Sequence, residues 1–316
     1  MSRILSSRWF KIGLSVGLFT LLFRSIDFLT FREQLTAVRL DLVVVVFLGY
    51  LFTQMLSAYK WQVLARPLGF HLPFRVFWVY YYVGMYLNLF VPSTIAGDVG
   101  RGLLLATQGG RVSAALQSVL ADRVTGVVML LWVSAAGFLA FGPTVFPAPV
   151  AYGVVSVAVL AVAGWWIAPR VIPVLFAPGH AFHRLWANLI QPYHDQAPLL
   201  GYACLVSFGL HWLQLSLQVV LAHALHLAVP LWYLILFIPL VHILSALPVS
   251  FGGIGVRESI YVVFLALIGV GRPEAMAFGL LWSMLGLGGG LVGGVVLMLS
   301  PEVQQALARI KKTSDG

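Results

Sequence analysis

Two arginines stand at the same place in two short motifs, 156 residues apart. Pro92-Ser93-Thr94-Ile95-Ala96-Gly97-Asp98-Val99-Gly100-Arg101 and Pro248-Val249-Ser250-Phe251-Gly252-Gly253-Ile254-Gly255-Val256-Arg257 both read P-x4-G-x3-R, and each lies within apolar sequence. A guanidinium presents a planar fork that meets two phosphate oxygens at once. If a helix resumes after Gly97, Asp98 and Arg101 share a face and can pair. Its first N–H groups then lack internal partners and suit an anion, and Gly97 and Gly100 admit a headgroup closely. In the second motif Gly252, Gly253 and Gly255 supply the pliant backbone, Arg257-Glu258 opens the returning helix, and Tyr261 lies one turn on. The alternative use of these charges is fastening, with Arg101 held by Asp98 and Arg257 by Glu258 or another helix.

Asp122-Arg123 falls about nine residues into an apolar span beginning near 113, roughly 14 Å along a helix axis. Ser118 and Thr125 extend Asp122 into a polar strip. An ionisable residue at membrane depth is a functional candidate by default. Asp122 could counter Arg101 or Arg257, hold a cationic headgroup, take up a proton, or form a structural ion pair. Ser207, His211, Gln214 and Gln218 follow helical spacing as one polar stripe that should face the bundle interior, for helix–helix hydrogen bonding or as a cavity wall. The candidate substrate-binding set is therefore Arg101, Arg257, Asp98, Asp122, Arg123, Glu258, Gly97, Gly253, Tyr261, His211 and Gln214.

His180, His183 and His194 are too loosely spaced for a metal site. No Walker loop, no GxGxxG and no nucleophile–base arrangement stands out, so the reading is of a non-enzyme with no cofactor and no metal. The lone cysteine, Cys204, sits in an apolar run and reads as packing.

The elements that must position these groups are helices in a bilayer. Hydrophobic residues make up 60% of the chain and charged residues 9%, and the mean hydropathy is +0.96. The formal charge of +9 lies mostly in loops and ends, where it fits anionic lipid surfaces rather than nucleic acid. The expected fold is an all-α polytopic membrane protein with about six full spans: 9–24, 42–59, 113–141, 149–168, 199–226 and 274–299. Two further apolar segments, 74–108 and 231–270, carry the motifs and read as broken or re-entrant helix hairpins. A helix broken by Pro and Gly at membrane depth survives only where it is buried in protein or lines a wet cavity. Paired breaks in two halves point to a transporter's substrate site. Lys and Arg place both termini in the cytoplasm, with Lys60, Arg66 and Arg75 in a cytoplasmic loop, and the two hairpins open from opposite sides as an inverted repeat. Outside the motif neither half shows convincing repetition. Residues 1–300 form a single domain, 169–198 an aqueous loop containing an interfacial helix, and 301–316 a cytoplasmic tail, disordered over 311–316.

Three segments carry a resemblance to a known family: 89–105 with P-x4-G-D-x2-R, the Asp122-Arg123 pair, and 247–258 with P-x-S-x-G-G-x-G-x-R-E. Together they resemble the lysylphosphatidylglycerol synthase transmembrane-region family, also called the flippase-like domain family, over about residues 10–300. In its best-known members this module moves aminoacylated phosphatidylglycerol from the inner to the outer leaflet and is joined to a cytoplasmic synthase domain. This chain stops at Gly316 without such a domain, so a stand-alone member is expected and aminoacyl transfer is not implied. The resemblance implies a bacterial inner-membrane translocator of a phosphate-bearing lipid, alone, as a homo-oligomer, or beside a lipid-synthesis enzyme. The alternatives are transport of a polyprenyl-phosphate-linked or hopanoid lipid, a membrane-embedded transferase, and a non-transporting scaffold.

Overall fold

A computed structural model of the chain describes residues 20, 27–90, 95–109, 111–141, 148–177, 179–245 and 255–314. The expected span 9–24 apart from Thr20, the residues 92–94 and 248–254 of the two motifs, and with them Gly253, lie outside the described residues. Among the described residues there are thirteen α-helices and no strand. They are α1 (Phe28–Thr36), α2 (Leu40–Ala65), α3 (Phe74–Leu87), α4 (Ile95–Ala106), α5 (Val112–Phe141), α6 (Ala148–Leu175) and α7 (Ala181–Leu189). The chain continues through α8 (Gln191–His194), α9 (Ala197–Ala224), α10 (Leu231–Ser245), α11 (Val256–Ala266), α12 (Arg272–Leu299) and α13 (Pro301–Ser314).

Five of these are long and apolar enough to cross a bilayer: α2, α5, α6, α9 and α12. A hydrocarbon layer of about 30 Å needs around 20 apolar residues, because backbone groups there must be satisfied within the helix. The two motif-bearing segments instead give pairs of shorter helices, α3 with α4 and α10 with α11. Their arms of 14, 12, 15 and 11 residues reach only about 16–23 Å at 1.5 Å per residue. Asn88 closes the first pair by accepting the Gly97 N–H at 2.7 Å. A Cβ on Gly97 would collide with the Gly84 carbonyl oxygen, so the missing side chain is what lets these two arms touch. In the second pair, Tyr233 on α10 donates to the Phe264 carbonyl of α11.

The packing repeats by exchange. The run α2–α3–α4–α5 corresponds to α9–α10–α11–α12. Helix α5 packs on α10, and α12 packs on α3, so the span after each hairpin rests on the first arm of the other. Helices α2 and α9 pack on each other and run antiparallel. Near one end the Arg39 N–H donates to the Ala224 carbonyl at 3.0 Å, further along the Tyr59 and Tyr202 hydroxyls meet at 3.1 Å, and Tyr193 donates to the Leu64 carbonyl at 3.1 Å. An element packed antiparallel against its own counterpart is what an inverted repeat requires.

Several boundaries differ from expectation. Helix α6 runs on to Leu175 through Pro169 and Pro173, beyond the end expected at 168, because in apolar surroundings continued internal hydrogen bonding outweighs one lost N–H at each proline. The 24–41 connection contains α1, whose first turn is capped by Asp27 accepting the Leu29 N–H at 3.0 Å. The tail read as disordered is helical as far as Ser314. Val303 and Ala306, three apart, are fully buried against α3 and α4, and Glu302 pairs with Arg75 at 2.8 Å.

A candidate anion-binding cavity

Helix α5 carries Asp122 inward, 4% exposed, where it meets two cations from different elements. Arg101 Nη2, from α4, lies 2.8 Å from Oδ2. Lys60 Nζ, from α2, lies 3.0 Å from Oδ1 and also donates to the Asp122 backbone carbonyl at 3.0 Å. The Arg101 guanidinium is held between the rings of Trp61 and Tyr81, each 4.7 Å away. Trp61 is itself fixed by donating to Ser118 Oγ at 2.9 Å. Asp98, one turn before Arg101, reaches its Nη2 at 3.1 Å and accepts a two-pronged contact from Arg123 Nε and Nη2, both at 2.7 Å. Charge-assisted, bidentate pairs of this kind are the strong ones. Arg101 Nε and Nη1 are buried without a hydrogen-bond partner among the described residues.

The second half is built differently. Glu258, fully buried, has both oxygens occupied: Oε2 accepts the Gly255 N–H at 2.6 Å, capping α11, and Oε1 accepts from the Ser283 hydroxyl. Gly255 has φ +84°, a conformation that favours glycine. Arg257 donates to Ser283 Oγ at 3.3 Å and has no carboxylate within ion-pair distance among the described residues. In this half Ser283 of α12 meets the motif arginine, as Asp122 of α5 meets Arg101 in the first.

Between the halves lies a cavity of about 360 Å³, walled by residues of α2, α3, α4, α5, α9, α10, α11 and α12. Of the residues expected at a site, Arg101, Arg257, Asp98, Asp122, Arg123, Gly97, His211 and Gln214 all line it. Glu258 and Tyr261 do not: Glu258 holds the start of α11 and Ser283, while Tyr261 is buried behind the wall. Tyr261 donates to Gln218 Oε1 at 2.7 Å, and the Gln218 amide then faces His242 Nε2 at 3.1 Å. An amide N–H must be the donor there, which leaves the His242 proton on Nδ1. His211 Nε2, 3.1 Å from the Gly126 carbonyl, must carry its proton on that nitrogen, and its buried Nδ1 has no partner among the described residues.

Lys60 is the main correction. Placed by sequence in a cytoplasmic loop, it is buried in the last third of α2 and is an arm of the charge network. Trp61, Tyr81, His242 and Ser283 also escaped sequence reading. A signal for Trp61 was present: Tyr50, Gln54, Ser57 and Trp61 have the same i, i+4, i+7, i+11 spacing as Ser207, His211, Gln214 and Gln218, offset by 157 residues. The repeat therefore extends beyond the motif, into two facing stripes.

Four cations, Lys60, Arg101, Arg123 and Arg257, face two carboxylates, Asp98 and Asp122, in this wall, an excess of two positive charges. A family model described as lysylphosphatidylglycerol synthase TM region matches residues 8–294. No curated protein matches the chain.

Proposed function

The chain belongs to the lysylphosphatidylglycerol synthase TM region family, and we propose that it is a translocator moving a phosphate-bearing lipid between the leaflets of the cytoplasmic membrane. The observation that carries this reading is Arg257, a cavity-facing guanidinium without a carboxylate partner among the described residues. A charge left uncompensated at membrane depth is costly, and a ligand phosphate that completes it is the economical reason for it to be there. Arg257 takes the phosphate, Arg101 Nε and Nη1 offer a second set of donors in the wall, and the acyl chains stay in the lipid beside the hairpins. The antiparallel halves give the cavity two ways to face, towards either leaflet, by rocking one repeat against the other. In this reading the protein is a carrier rather than an enzyme, and both termini face the cytoplasm.

The test is leaflet exchange of fluorescent phosphatidylglycerol in proteoliposomes containing the purified full chain. Wild type should accelerate exchange over empty vesicles, and Arg257→Gln should bring the rate back to the empty-vesicle level while retaining the wild-type melting profile. Equal rates for wild type and Arg257→Gln would end this account.

A further inference from the structure

We infer that Ser283 is a positioning residue for Arg257, holding the guanidinium in the wall through a neutral oxygen so that its charge stays free for a phosphate; this rests on the lipid-binding reading above. Ser283 is buried on α12 and does not itself line the cavity, so it acts through Arg257. One turn earlier on α12, a Cβ on Gly279 would come within 3.0 Å of Tyr261 Cδ2 and 3.3 Å of Glu258 Cα. The bare glycine lets α11 close on α12, which brings the Glu258 carboxylate to the Ser283 hydroxyl. A hydroxyl has one proton, and here it goes to Glu258 Oε1. Its lone pairs are thereby turned to Arg257, whose Nη1 donates to Oγ at 3.3 Å. Glu258 is kept in place by its other oxygen, which accepts the Gly255 N–H at 2.6 Å.

The first half shows what a carboxylate in place of the hydroxyl does. Arg101 Nη2 lies 2.8 Å from Asp122 and 3.1 Å from Asp98, so its charge is answered where it stands. To give those contacts to a ligand it would have to leave a buried carboxylate without its partner. Arg257 spends one of its five N–H donors on Ser283, and among the described residues no carboxylate takes another. The hydroxyl orders the side chain without neutralising it. Ordering in advance reduces the entropy lost when a phosphate binds, and the planar fork remains open to two of its oxygens.

The experiment is equilibrium binding to the purified full chain in neutral detergent, with phosphatidylglycerol and lysyl-phosphatidylglycerol as probes of the same phosphate diester. Ser283→Ala should weaken binding about tenfold, and Ser283→Thr, which keeps the hydroxyl, should stay within about twofold of wild type. The loss should be equal for the two lipids, since Ser283 acts on the grip of the phosphate and not on what the phosphate carries. On the residual binding of an Arg257→Gln variant, Ser283→Ala should have no further effect, a coupling that a merely structural role would not produce. Ser283→Asp should also weaken binding about tenfold although it keeps an oxygen for Arg257, because it answers the charge as Asp122 does that of Arg101. Should Ser283→Asp fold poorly, the threonine and double variants still decide. Undiminished affinity in Ser283→Ala, a loss confined to one lipid, additive losses in the double variant, or wild-type affinity in Ser283→Asp would overturn the inference and leave the lipid reading standing. Wild-type protein that binds neither lipid would remove that reading, and this inference with it.

Discussion

Asp122 stands between Lys60 and Arg101, and both cations depend on it. Arg101 could fall back on Asp98 alone, which Arg123 already holds in two places. Among the described residues, Lys60 has only the Asp122 backbone carbonyl besides its carboxylate. Breaking a buried pair from one side leaves an uncompensated charge, with a cost of about 3–5 kcal/mol. Asp122→Ala should therefore lower unfolding free energy in detergent by that amount, and Lys60→Met combined with Asp122→Ala should recover part of it. A double variant no more stable than the single one would mean that the pair is not what holds α2 to α5. Arg257 makes the contrast: with a single hydroxyl contact, Arg257→Gln should change unfolding by less than about 1 kcal/mol while removing function.

At the scale of elements, the first hairpin depends on a close approach that only a bare backbone permits. Gly97 packs on the Gly84 carbonyl, so Gly97→Ala forces α3 and α4 apart, at a cost of about 1–3 kcal/mol typical of overpacking. Gly153 is exposed on α6, and a methyl added to it would meet no atom within 4 Å. It is the matched control: Gly153→Ala should cost nothing in thermal unfolding. If both substitutions behave alike, the hairpin contact is not structural. These elements were largely legible in advance, because long apolar runs and Pro/Gly breaks are local signals. The site was legible only in part. Arg101, Asp98 and Asp122 announced themselves as charges inside apolar sequence, but Lys60 sits near the end of its span, and one position in boundary moved it from wall to loop. Ser283 could not be found at all, since its importance lies in meeting Arg257 and Glu258, contacts that exist only once α11 and α12 are packed together.

For the molecule as a whole, the antiparallel contact of α2 with α9 and the reciprocal packing of α5 on α10 and α12 on α3 make a prediction about which loops share a side of the membrane. If each hairpin enters and leaves on one side, His71 before α3 and Arg111 before α5 share a face of the membrane, while His226 before α10 and Arg272 before α12 share the opposite one. All four positions are exposed. Cys204 is the single native cysteine, so Cys204→Ala gives a background in which single cysteines at these four positions can be labelled in intact cells with a membrane-impermeant thiol reagent. The expected pattern is two labelled and two protected, 71 with 111 and 226 with 272, and from the Arg66, Arg75 and Arg111 cluster the protected pair is expected to be 71 and 111. Splitting 71 from 111 would make the first hairpin a full crossing. Labelling of all four from one side would turn the inverted repeat into a parallel one, and with it remove the two-faced access proposed for the cavity, since exchange between leaflets requires that the same groups be reached from both.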